Sequence, residues 1–164
     1  MYGIPEQTTS SFSETLDAVI ALQPEHISAY GLIIEEGTPF FEMQESLPLP
    51  SEDTECDMYR LAADKLSAAG YSHYEISNYA KKNKECSHNV GYWTGVDYIG
   101  LGLGAASLFE NARFSNLRDI EIYKEASDKA QLPTDWDTVC HLKEESKIEE
   151  FMFLGLRMMC GVSR

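Results

Sequence analysis

Apolar residues first recur at helical spacing from Phe12: Leu16, Val19 and Ile20 fall on the same face. Thr8 or a neighbouring hydroxyl residue is placed to cap this helix, and Pro24 to stop it. Residues 26–34, "HISAYGLII", are nearly continuous in apolar character, as in a strand covered on both faces. "EEGTPF" turns the chain and "LPLP" is an extended linker. Ser51 then caps a helix whose buried side carries Tyr59, Ala62, Ala63 and Leu66, with Gly70 as its left-handed stop. "YSHYEISNYA" reads as a further strand. Met1-Tyr2-Gly3-Ile4-Pro5 reads as a strand end meeting a turn. The order strand end, helix, strand, helix, strand predicts βαβ units, a parallel sheet and right-handed connections. After Ala80 the pattern changes. "KKNKE" is a solvated turn, and residues 85–107 are glycine-broken and rich in aromatics. A helix is expected from Asn116 through Ile120, Tyr123 and Ala126, broken by "QLPTDWDTV". An amphipathic helix from Glu144 to Met159 carries Ile148, Phe151, Met152 and Met158 at core spacing. This tail is expected to be all helical.

The 164 residues suffice for one domain of average size with its own core. A net charge of −14 argues against a nucleic-acid partner and against docking on an anionic membrane. The longest apolar run, "AYGLII", is too short to span a bilayer, and the first residues do not form a secretory leader. None of Cys56, Cys86, Cys140 and Cys160 stands in a CxxC, CxxCH or CxxxCxxC pattern. A structural zinc site and a covalent c-type haem therefore lack support, and a reducing cytoplasm is the expected location. Both ends read as cut, so the chain is expected to be a piece of something longer.

Two segments carry candidate chemistry. In "GLGLGA", Gly100, Gly102 and Ala105 formally match GxGxxG/A, with Asp119 about 20 residues on. A dinucleotide site needs a helix directly afterwards, and "SLFENARFS" is a poor helix. The stretch reads instead as a strand or tight loop whose glycines permit close backbone approach, and a glycine-walled loop of this kind can contact a flat ligand. In "SHNVGYW", His88 has a neighbouring amide in Asn89 and flat surface in Tyr92 and Trp93. A haem site needs an axial ligand and an apolar aromatic wall; the alternative is a hairpin with two core aromatics. In a strand, Cys86 would share a face with His88. Cys56 and Cys160 fall in helical patterns and read as small core residues. Glu35 and Glu36, beside Gly37, would lie at the active-site end of a parallel barrel or in a solvated turn. His26 begins a strand and reads as structural.

"YGIPEQT", "EEGTPF", "YEISNYA" and His88-Asn89-Val90-Gly91-Tyr92-Trp93 (HNxxYW) together resemble the radical SAM coproporphyrinogen oxidase-like family, in particular its HemW haem-chaperone branch. The resemblance runs over nearly the whole chain. It implies an α/β fold: the C-terminal half of a partial (β/α) TIM-like barrel, then the start of a mostly helical C-terminal domain. Barrel units would cover residues 1–80, a segment closing the barrel mouth 81–115, and the C-terminal domain 116–164. It implies haem held by His88, Asn89, Tyr92 and Trp93, with His88 on the iron. Ile33 and the loop Gly104-Ala105-Ala106 would approach S-adenosylmethionine through backbone groups. The family's [4Fe–4S] motif is absent from this chain, as is the first half of the barrel. Where HemW-type chains usually read "GAHS", this one reads "GAAS", which leaves His88 as the main haem ligand. The implied function is binding haem and handing it to an unidentified acceptor protein. The alternatives are an oxygen-independent coproporphyrinogen III oxidase, and a structural piece without activity of its own.

Overall fold

A computed structural model describes residues 1–162. The chain divides into two compact units, Met1–Ser87 with Met158–Gly161, and His88–Arg157 with Val162.

The first unit is built on two helices and a small sheet. Helix α1 (Thr9–Ala21) opens on a capping box: Ser11 N–H donates to Thr8 Oγ1 and Thr8 N–H donates to Ser11 Oγ, both at 3.1 Å. Phe12 and Leu16 are buried, with Val19 and Ile20 packed beside them. After strand β1 (His26–Ser28) comes the short helix α2 (Pro39–Met43), capped by Thr38. Helix α3 (Glu52–Ala68) is capped by Ser51, as expected, and Gly70 follows it at φ +86°. Its Met58, Ala62 and Leu66, four residues apart, face α1 and are wholly buried. Cys56 lies about 200° round the helix from Met58 by helical geometry, and so is exposed rather than in the core.

The sheet departs from the expected parallel pattern. Residues 71–80 form not one strand but two, β2 (Ser72–Glu75) and β3 (Asn78–Ala80), reversing at Ile76-Ser77. The reversal is held by the buried Glu75 carboxylate, which accepts bonds from Ser77 N–H and the Asn78 side-chain amide. The order is β1-β3-β2, antiparallel at both junctions. β1 and β2 thus point the same way, as βαβ order requires, but β3 lies between them. Of residues 26–34 only the first three join this ladder. Further on, Tyr2 pairs in parallel with Gly31: Tyr2 N–H donates to Tyr30 O at 2.9 Å, and Leu32 N–H donates to Tyr2 O at 2.8 Å.

The second unit contains α4 (Ser87–Trp93), the hairpin β4 (Ala106–Phe109) and β5 (Ala112–Asn116), α5 (Ile120–Asp128), β6 (Thr134–His141) and α6 (Glu144–Gly155). Its sheet is antiparallel in the order β4-β5-β6. The tail is therefore not all helical. "TDWDTVCH" is a strand because β5 offers it an edge, a long-range pairing that local periodicity does not encode. The hairpin turns at Glu110 and Asn111, both at positive φ (47° and 64°), the geometry of a tight two-residue reversal. Asn116 ends β5, so α5 starts four residues later than expected, capped by Asp119. α6 stops at Gly155 rather than Met159, and its Ile148, Phe151 and Met152 are exposed rather than in the core. Cys160 follows the end of α6 in a turn and is also exposed.

Candidate functional site

The HNxxYW stretch is a helix, not a hairpin. α4 ends in a glycine cap: Gly95 sits at φ +73°, its N–H donates to Tyr92 O at 3.3 Å, and Val96 N–H donates to Gly91 O at 2.9 Å. His88 and Tyr92, four residues apart, share a face. Their rings meet edge to face at 4.7 Å, and Tyr92 meets Tyr98 in the same way at 4.5 Å. Tyr98 is fixed to β4 by paired backbone bonds with Leu108 at 2.7 and 3.0 Å. His88 is exposed, and neither ring nitrogen has a hydrogen-bond partner. Asn89 is half-buried, and its side-chain amide bonds neither His88 nor any other group.

Trp93 looks elsewhere. Five residues after His88, it lies about 140° round the helix from it. The Arg157 guanidinium lies 4.2 Å from its ring centre. Trp93 lines a cleft with Leu108, Leu142, Phe151 and Leu154, and its Nε1 is out of reach of water. The structure thus joins His88 to Tyr92, adds Tyr98, and turns Trp93 inward. Tyr98 could not be found from the sequence, since no helical or strand period links it to His88. Cys86 does not share a strand face with His88: it precedes α4, and its N–H donates to the Tyr74 hydroxyl at 3.3 Å. That hydroxyl also bonds His26 Nε2 at 2.8 Å, which gives His26 the structural place expected of it.

The glycine stretch is a tight loop followed by β4, not by a helix, which removes the dinucleotide reading. Gly100 faces the chain's own backbone, Gly102 faces open space and Gly104 faces the Arg118 side chain. A Cβ on Gly100 would lie 2.3 Å from Ala106 O. Asn116, 6% exposed, stitches the loop together: its Nδ2 donates to Gly100 O at 3.0 Å and Gly102 O at 2.9 Å, and its backbone N–H to Ala105 O at 2.9 Å. Gly100 N–H donates to Ser107 Oγ at 3.0 Å and Gly102 N–H to the Tyr123 hydroxyl at 3.3 Å. Gly104 N–H donates to Leu117 O at 3.1 Å and Ala105 N–H to Gly102 O at 3.4 Å. The loop residues expected to offer backbone donors to a cofactor therefore have two of them already engaged. The outward side chains are apolar: Leu101 is 87% exposed, with Ile99 and Leu103 exposed beside it. Ile33, in the first unit, is 79% exposed, and neither its N–H nor its carbonyl is engaged. Glu35 and Glu36 lie exposed in the turn before α2. Among the described residues no group of three or more His, Cys, Asp or Glu could hold a metal ion, and no helix is long and apolar enough to cross a membrane.

No protein-family profile matches the chain. It is 35% identical over 166 residues to the haem chaperone HemW of Bacillus subtilis, covering 100% of this chain and 43% of that protein. It is 36% identical over 164 residues to HemW of Lactococcus lactis, covering 99% and 42%. A mitochondrial radical S-adenosyl methionine domain-containing protein 1 of Danio rerio is 33% identical over 174 residues, covering 99% and 38%. The chain thus spans about two fifths of the length of these relatives. Its α/β fold matches that of the radical SAM enzyme coproporphyrinogen III oxidase (HemN) of Escherichia coli. The TM-score is 0.74 at 21% identity, over 95% of this chain and 38% of that one.

Proposed function

We propose, for a chain that belongs to the HemW-type branch of the radical SAM coproporphyrinogen oxidase-like family, that it binds haem and passes it to an acceptor protein. The observation that carries this is His88: an exposed imidazole with no bonded ring nitrogen, backed by Tyr92 and Tyr98. These residues fit a porphyrin cargo. The imidazole supplies a lone pair for the iron, and the aromatic edges supply apolar contact. A histidine that ligates metal usually donates its other N–H to an acceptor, which raises its basicity and fixes its ring. His88 has no such acceptor. It is therefore a weak, easily exchanged ligand, which suits a protein that must release what it carries. Asn89 and Trp93 complete the motif: Trp93 anchors α4 through its inward face, and Asn89 follows His88 with its side-chain amide unbonded, a polar group available to the ligand.

The fit to the family's other cofactors is uneven. Ile33 offers a free backbone N–H and carbonyl, which suits recognition of the adenine edge of S-adenosylmethionine. Gly104, Ala105 and Ala106 offer that cofactor contact surface more than donors, because two loop N–H groups are engaged within the chain. The described residues do not fit a [4Fe–4S] cluster. The oxidase reading draws on a likeness of fold alone. The acidic surface favours a basic acceptor protein, and the site of action is the cytoplasm.

Titration of haem into the chain and into His88→Ala, followed at the Soret band, tests the reading. Saturable binding that the substitution abolishes or weakens at least tenfold is expected. Equal binding by both proteins would remove His88 as the ligand.

A further inference from the structure

We propose that Arg118 and the glycine loop beneath it form a binding site for a carboxylate carried by the bound ligand. The inference rests on the haem reading above, because porphyrin propionates are the first such carboxylates; the methionyl end of S-adenosylmethionine has the same chemistry. The chain has 27 acidic residues against 13 lysines and arginines. Most described cations are engaged: seven pair with carboxylates, Lys81 bonds Gln23 O, and Arg157 lies over Trp93. Arg118 has no partner despite that excess of acid. Its neighbour Asp119 is occupied in capping α5, accepting from Glu121 N–H at 2.9 Å and Ile122 N–H at 3.1 Å.

The arginine is also seated. Its Cγ, Nε and Cδ lie 3.4, 3.6 and 3.9 Å from where a Cβ on Gly104 would stand. Gly104 is favoured for its φ of +63°, and the arginine stem lies within van der Waals reach of it. The stem lies beside a loop that Asn116, Ser107 and Tyr123 stitch together, and the residue itself stays exposed to an approaching ligand. The guanidinium fork then matches a carboxylate in two parallel bonds. The N–H groups of Leu101 and Leu103, in the same loop, are unengaged. The loop starts directly after Tyr98, the residue that backs Tyr92 and His88. In a chain of net charge −14, this cation is the local feature that makes an anionic ligand welcome.

The test compares the wild-type chain with Arg118→Met, which keeps an apolar stem and removes the charge; unchanged circular dichroism establishes that the variant folds. Each is titrated with haem, haem dimethyl ester and S-adenosylmethionine. Haem is expected to bind Arg118→Met about tenfold more weakly, the order of one charge-assisted pair. The dimethyl ester, whose propionates are masked, is expected to bind both proteins equally. If haem binds both equally while S-adenosylmethionine weakens about tenfold, the carboxylate is the methionyl one and the site stands. If neither ligand distinguishes the proteins, or the ester weakens as much as haem, the carboxylate site is overturned while the haem reading survives. Binding of none of the three by the wild type would overturn both.

Discussion

Asn116 should matter more to this protein than its place at a strand end suggests. Its side-chain amide donates to two loop carbonyls, at 2.9 and 3.0 Å, from a position 6% exposed. Each bond contributes a net ~0.5–1.5 kcal/mol, and Gly100 O, left without a donor, adds a desolvation cost, whereas Gly102 O keeps the Ala105 N–H at 3.4 Å. Asn116→Ala should therefore cost about 2–4 kcal/mol. Asn116→Asp is the sharper test, because it conserves shape and reverses the chemistry. An ionised carboxylate would face the Gly100 and Gly102 oxygens with no donor to offer, at a cost of about 3–5 kcal/mol. The protonated acid can still donate to one of them. The folded-state pKa of this introduced acid must then lie above its unfolded value of about 3.9. Its neutral form is favoured by folding, so the variant keeps its stability below the unfolded pKa and loses it as pH rises through the folded one. Urea denaturation of wild type, Asn116→Ala and Asn116→Asp across pH 4 to 8 reads this directly. The expected pattern is a gap between Asn116→Asp and wild type that widens with pH, while the Asn116→Ala gap stays flat. A pH-independent Asn116→Asp gap, or an Asn116→Ala protein as stable as wild type, would show that the amide does not hold the loop.

Gly100→Ala drives a Cβ to 2.3 Å from Ala106 O, a backbone atom that cannot swing aside, and should destabilise the chain by at least ~2 kcal/mol in the same denaturation assay. Tyr79 is buried with a hydroxyl that has no partner, so Tyr79→Phe should be neutral or stabilising by up to about 1 kcal/mol in thermal denaturation. Burial, helped by nearby Tyr59, Tyr2 and Glu75, raises the Tyr79 phenol above its ordinary value of 10.0. Its contribution to stability is therefore present below about pH 10 and lost as pH rises beyond it. Tyr79→Phe should show a smaller loss of stability between pH 9 and 11 than wild type.

What could be read along the chain was what depends on near neighbours. Thr8 and Ser51 cap their helices because a hydroxyl three residues from an orphan N–H needs nothing further away. Gly70 stops α3 because only glycine enters the left-handed region without strain. The stripe through Ala62 and Leu66 reaches the core because 3.6 residues per turn put it on one face. The HNxxYW motif and its companions were equally legible as a family signature, since a motif survives without its geometry. The tertiary structure decided the rest. That Ile76-Ser77 reverses the chain depends on the buried Glu75 and Asn78 side chains meeting. That "TDWDTVCH" is a strand depends on the edge of β5, some 20 residues earlier. The split of the motif, with His88 and Tyr92 outward and Trp93 inward, depends on the stretch being helical and on Arg157, 64 positions after Trp93. Asn116 and Tyr98 carry no local signal at all, because what they do is set by partners that only folding brings within reach.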